Sequence, residues 1–318
     1  MGLTYRDFEG TDEDYELLVE IMNTGADIPV TVENAHYTME AWMRDKVWRQ
    51  GFVLSGDKCI GEASCRGESS SHLQIGFRLL PAYKDSGFEE EIYGRLVESA
   101  QKAGALTVTA SVRDDDLERN EALGRLGFHC VMRSPLTRLD LKQFDAAGFA
   151  PTLRKVEEQG VAIRSVAELK EEGEEWLPTL HELMNDLWED VPRTDPDPPA
   201  RTSLEDLREE FYGPNAGFLA GRLVALDGER CVGYSCIVPA GANAEVASTG
   251  LTGVARSNRR RGIAPALKVA ALERVKQEGV RFVLTGNEEN NPMLQLNLRL
   301  GFRQVYATLT YRKTLAPA

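Results

Sequence analysis

A chain of 318 residues exceeds what one ordinary hydrophobic core holds and suits two domains of about 150 residues each. With 42% hydrophobic and 27% charged residues it has the make-up of a globular protein, and no apolar run reaches the roughly 20 residues needed to cross a bilayer. The net charge of -13 argues against nucleic acid as a partner, because phosphate backbones are gripped by accumulated Lys and Arg. The opening MGLTYRDFEGTDED is acidic where a signal peptide is basic and then apolar, so a cytoplasmic protein with no membrane partner is expected. The cysteines, Cys59, Cys65, Cys130, Cys231 and Cys236, are odd in number and lack C-x-x-C spacing, which speaks for reduced thiols over disulfides or zinc. His36, His72, His129 and His181 show no metal spacing either, so no metal is expected and structural or surface roles are.

In chain order, residues 3–8 read as a strand and residues 12–21 and 32–47 as amphipathic helices. Strands over 51–54 and 58–64 flank a Ser-Gly-Asp turn, and a further strand covers 73–80. Phe88, Ile92, Leu96 and Ala100 then recur at helical spacing. A strand over 105–112, a short helix over 117–126 stopped by Gly127, and a last strand from Phe128 toward Leu141 complete the first series. After a connector the series restarts at Val161, and the two series share the tetrapeptide Arg-Leu-Gly-Phe, ending at Phe128 and Phe302. Two copies of one fold are the simplest account: residues 1–142, a linker at 143–160, and residues 161–318.

The second series contains an acidic, proline-rich loop from Glu189 to Pro199 and a helix opened by Ser203 with Asp206 at its third position. A hairpin crosses residues 227–230, and a strand over 245–254 leads into Arg259-Arg260-Arg261-Gly262-Ile263-Ala264, directly ahead of a helical pattern. The first turn of a helix leaves backbone N–H groups unpaired under a positive helix dipole, and Gly262 and Ala264 let an anion approach that backbone. Asn291 before Pro292 reads as the N-cap of a short helix, Met293, Leu296 and Leu300 as its packed face, and Gly301 as its positive-φ stop.

These residues resemble the GNAT family of acetyl-CoA-dependent N-acetyltransferases. Arg259, Gly262 and Ala264 match its pyrophosphate turn, Q/R-x-x-G-x-G/A, and Thr285-Gly-Asn287, Asn291-Pro-Met293, Asn297 and Leu300-Gly-Phe302 follow at family-like distances. The resemblance implies an α/β (α+β) protein of two tandem GNAT folds, each a mixed, mostly antiparallel sheet flanked by helices. The tandem plan is also similar to that of mycothiol synthases. It implies acetyl-CoA as acetyl donor, aligned by backbone groups of Val254 and Ala255, held at its pyrophosphate by Arg259 and the N–H groups of Arg260, Arg261, Gly262, Ile263 and Ala264. Asn287 and Asn291 are implied as polar contacts to the cofactor, Asn291 doubling as helix cap.

The position where many members place a tyrosine acid is Asn297, which cannot ionise, and Tyr306 and Tyr311 are alternatives by position alone. The member base on the strand before the turn has one acidic candidate here, Glu245. By simple alternation it faces away from Ser248 and Thr252, which would instead hold a water. The first copy departs from the turn motif, with Lys84-Asp85-Ser86-Gly87-Phe88-Glu89 placing a carboxylate where a small residue belongs, and Arg113 and Leu117 standing for Asn287 and Asn291. The expectation is acetyl transfer to a primary amine of a small molecule or peptide by the second copy, a cationic acceptor being favoured by the acidic loop at Glu189, Asp190, Asp195 and Asp197. That loop is either the acceptor wall or a surface connection. A non-catalytic acyl-CoA-binding or sensor protein is the alternative.

Overall fold

The computed structural model describes residues 2–26, 28–43, 47–84, 86–194, 198–199, 201–213, 217–240 and 243–315. Its first half runs β1 (Leu3–Asp7), α1 (Asp12–Asn23), α2 (Val32–Met43), β2 (Val47–Ser55), β3 (Lys58–Ser69), β4 (His72–Leu79), α3 (Glu89–Lys102), β5 (Thr107–Arg113), α4 (Leu117–Arg125) and β6 (His129–Asp140). The second runs α5 (Ala150–Glu158), β7 (Val161–Ser165), α6 (Val166–Glu172), α7 (Leu177–Glu189), α8 (Leu204–Tyr212), β8 (Arg222–Asp227), β9 (Arg230–Pro239), β10 (Val246–Val254), α9 (Ile263–Gln277), β11 (Phe282–Gly286), α10 (Pro292–Arg299) and β12 (Arg303–Thr314). Local chemistry explains several boundaries. Thr11 caps α1, Ser165 with Glu168 and Ser203 with Asp206 form reciprocal capping boxes on α6 and α8, and Asn291 caps α10. The repeated tetrapeptide ends α4 and α10 identically: Phe128 N donates to Leu123 O at 3.0 Å and Phe302 N to Asn297 O at 3.1 Å. Between donor and helix sits a glycine at positive φ, 78° for Gly127 and 97° for Gly301.

The chain forms two compact units, Met1–Pro135 with Tyr306–Ala318, and Leu136–Val305. In the first the strand order is β1-β2-β3-β4-β5-β12, in the second β6-β11-β10-β9-β8-β7. Each sheet is antiparallel apart from one pair, β4 with β5 and β10 with β11. Each sheet has an apolar layer on both faces. In the first unit one layer packs Ile75, Val108 and Val112 with Ile92 and Leu96 of α3, and the other gathers Leu18 and Ile21 of α1 around Phe52. In the second, α9 contributes Leu267, Ala271 and Val275 to one core, while α7 contributes Leu180, Leu183 and Leu187 to another with Tyr234 of β9.

The closing strand of each unit comes from the other end of the series. Leu136 to Asp140 of β6 pair with Gly286 to Phe282 of β11, and Thr308 to Thr314 of β12 pair with Arg113 to Thr107 of β5. Period-two alternation reports that a segment is a strand and not which strand it joins, so a reading in linear order assigns β6 to the first copy. The stretch read as linker, 143–160, lies in the second unit and is structured. It holds α5, with Pro151 in its first turn and Val156 buried in the core beside α9. Two smaller differences concern the reading of 32–47 as one helix, since Val47 already belongs to β2 and residues 44–46 lie outside the described residues, and α6, which follows β7 without a loop.

A chain beginning at Val161 would lose both α5 and the β6 segment that pairs β11. We therefore expect such a chain to be insoluble or to lack the cooperative thermal transition of the full protein. A soluble species with native-like circular dichroism and one sharp transition would contradict the exchanged-strand assignment.

Candidate active site

The parallel pair β10/β11 is short. It covers Val246 with Phe282, Ala247 with Val283 and Ser248 with Leu284, and there the strands part. Beyond that point β10 keeps only its antiparallel partner β9, with a bulge between Thr249 and Thr252. Ala255 N donates to Val232 O at 2.9 Å. Since successive residues of an antiparallel ladder alternate the side to which N–H and C=O point, Val254 turns its N–H away from β9 into the gap. Its carbonyl takes Arg259 Nε at 3.1 Å. Glycine at 253 lets the Leu187 side chain pack onto the strand as it does, since a Cβ there would stand 2.5 Å from Leu187 Cδ2 and displace it.

The gap opens into a cleft of about 460 Å³ walled by Leu187, Val191, Leu251, Pro265, Pro292 and Met293, with the turn before α9 at its rim. Gly262 is the N-cap of α9 at φ 88°, and Arg260 at φ 64° is the non-glycine residue in the left-handed region among the described residues. Two left-handed residues bracketing Arg261 turn successive N–H groups to one side, a concavity that suits an anion. Such a conformation at Arg260 costs roughly 1–2 kcal/mol, which the surrounding structure must offset. The N–H groups of residues 260–264 have no acceptor among the described residues, Pro265 has none to offer, and Ala266 N is the first to pair, with Gly262 O at 3.2 Å. The first turn of α9 carries no acidic residue.

The three turn arginines have separate employments. Arg259 and Arg256 both bind Asp190 at the C-terminus of α7, Arg256 at 2.7 Å. The Arg256 guanidinium, with Arg259 beside it, holds the Asp190 carboxyl below the usual carboxylate range. Arg261 donates to Gln159 Oε1 at 3.0 Å and to Asp227 at 2.9 Å, tying the turn to the end of α5 and to β8. Arg260 has no hydrogen bond or ion pair with the described residues and lines the cleft. It is the cation left for a ligand.

The expected site residues are thus partly assembled. Thr252, Val254, Arg259, Arg260, Gly262, Ile263, Ala264 and Asn291 line the cleft. Asn291 also caps α10, accepting Met293 N at 2.9 Å. Ala255 does not offer a free donor: its N–H goes to Val232 and its carbonyl takes Asn258 N at 2.8 Å. Asn297 is fully buried, outside the cleft, and donates through Nδ2 to Asn287 Oδ1 at 2.7 Å. The pair fixes the loop after β11, and neither Asn lines the cleft. Ser248 and Thr252 do not share a face, because the bulge adds one residue between them: Ser248 opposes Val238 while Thr252 opposes Ser235. Thr252 Oγ1 lies 3.0 Å from Ser235 Oγ. The same bulge gives Glu245 the parity of Thr252. Distance still separates them: Glu245 is exposed, precedes β10 and stands seven positions from Thr252, roughly 20 Å at strand rise. Tyr306 and Tyr311 belong to the first unit, where Arg113 stacks 3.9 Å over the Tyr306 ring.

Of the acidic loop, Asp190 is committed to two arginines and Glu189 to Arg201 at 2.7 Å; Asp195 and Asp197 lie outside the described residues. Thr202, beyond the prolines, is pinned by Asn185, which accepts its N–H at 3.1 Å, and by His181. In the first unit, the structural counterpart of α9 is α3, whose first turn holds Glu89, Glu90 and Glu91. Those carboxylates already answer the helix dipole. The N-cap of α4 is Asp116, so the counterpart of Asn291 is that residue and not Leu117, α4 being one residue longer than α10. Gly87 keeps its positive φ of 74°, and Asp85 beside it is outside the described residues.

Residues 180–302, from α7 to α10, match the model of the Acetyltransferase (GNAT) family, so this stretch is similar to the domain that the family shares. None of the curated proteins is similar enough in sequence to count as a match. Among solved structures, a tandem GNAT protein from the clavulanic acid biosynthesis pathway matches over 100% of both chains, with TM-score 0.75 and 20% identity. A GCN5-related N-acetyltransferase from Sphaerobacter thermophilus matches over 99% of this chain and 96% of its own, with TM-score 0.71 and 16% identity. A GNAT-family acetyltransferase from Colwellia psychrerythraea covers 98% and 100%, with TM-score 0.61 and 11% identity. What is shared at such identities is the fold, and this chain folds as a tandem GNAT protein. No described helix is long and apolar enough to cross a membrane.

Two outcomes follow from the turn. Arg260→Ala should weaken acetyl-CoA binding about tenfold, the worth of one charge-assisted hydrogen bond, and leave the melting temperature unchanged. Arg261→Ala should do the reverse, lowering stability by about 1 kcal/mol through its lost contacts. Calorimetric titration and thermal melts of both variants decide, and exchanged phenotypes would refute the division of labour.

Lys268 of α9 is buried against Phe302, and burial alone pushes its ammonium down to about 7. Its unfolded value is about 10.4, so between those values the unfolded chain holds a proton that the native one lacks, and native stability rises with pH by about 1.4 kcal/mol per unit. Urea denaturation of wild type and Lys268→Met should show the variant more stable near neutrality, with the difference shrinking toward alkaline pH. A pH-independent difference would mean that Lys268 is charged and paired in the native state.

Proposed function

We propose that the second unit binds acetyl-CoA in the β10/β11 cleft and transfers its acetyl group to a primary amine of a small molecule or peptide. The observation that carries this is the turn itself: two left-handed residues, unpaired N–H groups and the uncommitted Arg260, next to a strand gap with the Val254 N–H facing into it. The second unit, Leu136–Val305 with α5 packed inside it, would supply the reaction, and the first unit, Met1–Pro135 with Tyr306–Ala318, would be a degenerate, supporting copy. The residues fit the donor. Residues 260–264 and Arg260 would hold the pyrophosphate, and the apolar walls at Leu187, Leu251 and Met293 would take the pantetheine arm. When bound, acetyl-CoA supplies a thioester whose carbonyl carbon gains the amine nitrogen as its bond to sulfur breaks, with no covalent enzyme intermediate.

The chain's part is positioning and charge stabilisation. Val254 N–H donates to a carbonyl oxygen placed in the gap, and the bulged strand keeps that donor free of β9. Proton handling falls to water. The one acid among the described residues that line the cleft, Asp190, is held as a carboxylate by two arginines, and Thr252 offers a hydroxyl to order a water molecule that takes the amine proton and returns one to the thiolate. The net charge of -13 favours a cationic acceptor. A second reading, an acyl-CoA-binding or sensor protein, is favoured by the lack of a poised base among the described lining residues and by the burial of Asn297.

Gly262 and Gly87 share a positive φ, so aspartate at either position brings similar backbone strain. Gly262→Asp should abolish acetyl-CoA binding by setting a carboxylate against the pyrophosphate, and Gly87→Asp should leave it almost unchanged; equal losses would refute the second-unit site. An acceptor screen with detection of free thiol separates the two readings. Release of CoA above background with an amine supports transfer, and tight acetyl-CoA binding without release across mono-, poly- and peptide amines supports the sensor.

A further inference from the structure

The sheet of the first unit carries a polar stripe beneath its helices. Strand alternation sets Gln50 of β2, Glu62, Ser64 and Arg66 of β3, and Gln74 and Arg78 of β4 on one face, in the cross-strand register Gln50 with Ser64, Glu62 with Arg78 and Arg66 with Gln74. The opposite face is apolar: Ala63, Cys65, Leu73, Ile75 and Phe77 belong to the core under α3. In the second unit, Val224, Tyr234 and Cys236 pack into an apolar core with α7 and α8. Polar groups under a helical cover are costly unless paired or used.

Some of the stripe is paired. Gln50 Nε2 donates to Glu62 Oε2 at 2.7 Å and Arg66 Nε to Gln74 Oε1 at 3.2 Å. Arg119 of α4 donates to Phe77 O and to Tyr93 Oη, each at 3.0 Å, and leaves its Nε buried without an acceptor. Arg78 is different. Although it stands opposite Glu62 in the register, it forms no ion pair or hydrogen bond with the described residues. It faces a cavity of about 370 Å³, roofed by Leu18, Met22, Val30, Ala35 and Met39 and floored by the stripe. That volume is at the lower end of small-molecule sites. Among the described lining residues three guanidinium groups, of Arg66, Arg78 and Arg119, face one carboxylate, Glu62. The cavity therefore presents a net positive floor and an apolar roof.

We propose that this cavity is a binding site for a small organic carboxylate with an apolar body, its carboxylate on Arg78 and its body under α1 and α2. The site does not depend on the reaction of the second unit. The cavity lies on the face of the sheet opposite α3, whose own first turn carries Glu89, Glu90 and Glu91, so acetyl-CoA is not the ligand proposed for it. The apolar roof favours an organic acid over a bare inorganic anion, and the Arg78 guanidinium, near Glu62 but without a hydrogen bond or ion pair to the described residues, favours an acid over an amine.

The test uses the full chain at mildly alkaline pH, with hexanoate and phenylacetate as probes and hexylamine and inorganic phosphate as comparisons, in calorimetric titration and thermal-shift assays. We expect one carboxylate per chain, no comparable binding of hexylamine or phosphate, and no displacement by saturating acetyl-CoA. Arg78→Met should weaken the carboxylate at least about tenfold. Glu62→Gln should tighten it about fivefold by removing a nearby like charge, a gain that a damaged fold cannot produce and that decides the matter if Arg78→Met fails to fold. Absence of binding by both carboxylates at millimolar concentration, equal binding of hexylamine or phosphate, displacement by acetyl-CoA, or unchanged affinity in a folded Arg78→Met would each overturn the proposal, as would weaker binding in Glu62→Gln.

Discussion

The second unit depends on a set of hydrogen bonds that two strands do not make. β10 and β11 are parallel neighbours for three residue pairs and then separate at Ser248 and Leu284. An interrupted ladder leaves backbone N–H and C=O groups to be satisfied elsewhere or offered to a ligand, and the surrounding sequence is fitted to that. The bulge between Thr249 and Thr252 keeps β10 on β9 while it bends away. Gly253 makes room for Leu187, and α7 can then reach the turn, where Asp190 gathers Arg256 and Arg259. Arg261 secures the same turn from the opposite side through α5 and β8. With both flanks held, the left-handed conformation of Arg260 is sustained, and the strain sits at the place where an anion would repay it.

The two units show how one architecture is turned to different ends by a few side chains. β4 and β5 also part, after Ile75 and Ala110, so the first unit keeps the strand geometry. What it lacks is the turn: Phe88 in a right-handed conformation stands as N-cap of α3 where Gly262 stands for α9, and three glutamates follow. Its polarity is invested instead on the other side of the sheet, under α1 and α2, where the second unit has Tyr234 and Val224 in an apolar core.

Much of this was legible in the sequence, for reasons that can be named. The turn, the caps at Ser203 and Asn291, and the glycine stop at Gly301 are local, and local chemistry does not need the tertiary structure to be read. The exchanged strands were not legible, because β6 and β12 alternate in the same way whichever sheet receives them. The faces of Ser248 and Thr252 were misassigned because a bulge is decided by the partner strand β9, and a single inserted residue reverses every face beyond it. The helix α5 hid behind a composition of Gly and Pro that reads as a connector, although Pro151 in a first helical turn is equally a helix start. The separate fates of Arg259, Arg260 and Arg261 depend on carboxylates distant in sequence. For the cavity of the first unit a signal existed: Glu62, Ser64 and Arg66 alternate as polar residues in a strand buried on both sides.

The central claim is that acetyl-CoA binding requires the turn as well as the parted strands, and the described residues contain two partings and one such turn. Stoichiometry tests it most directly. Calorimetric titration of the full chain with acetyl-CoA should give one site per chain. Two sites per chain would show that parted strands suffice and that the glutamates of α3 are no barrier, and no binding would remove the functional account of the turn.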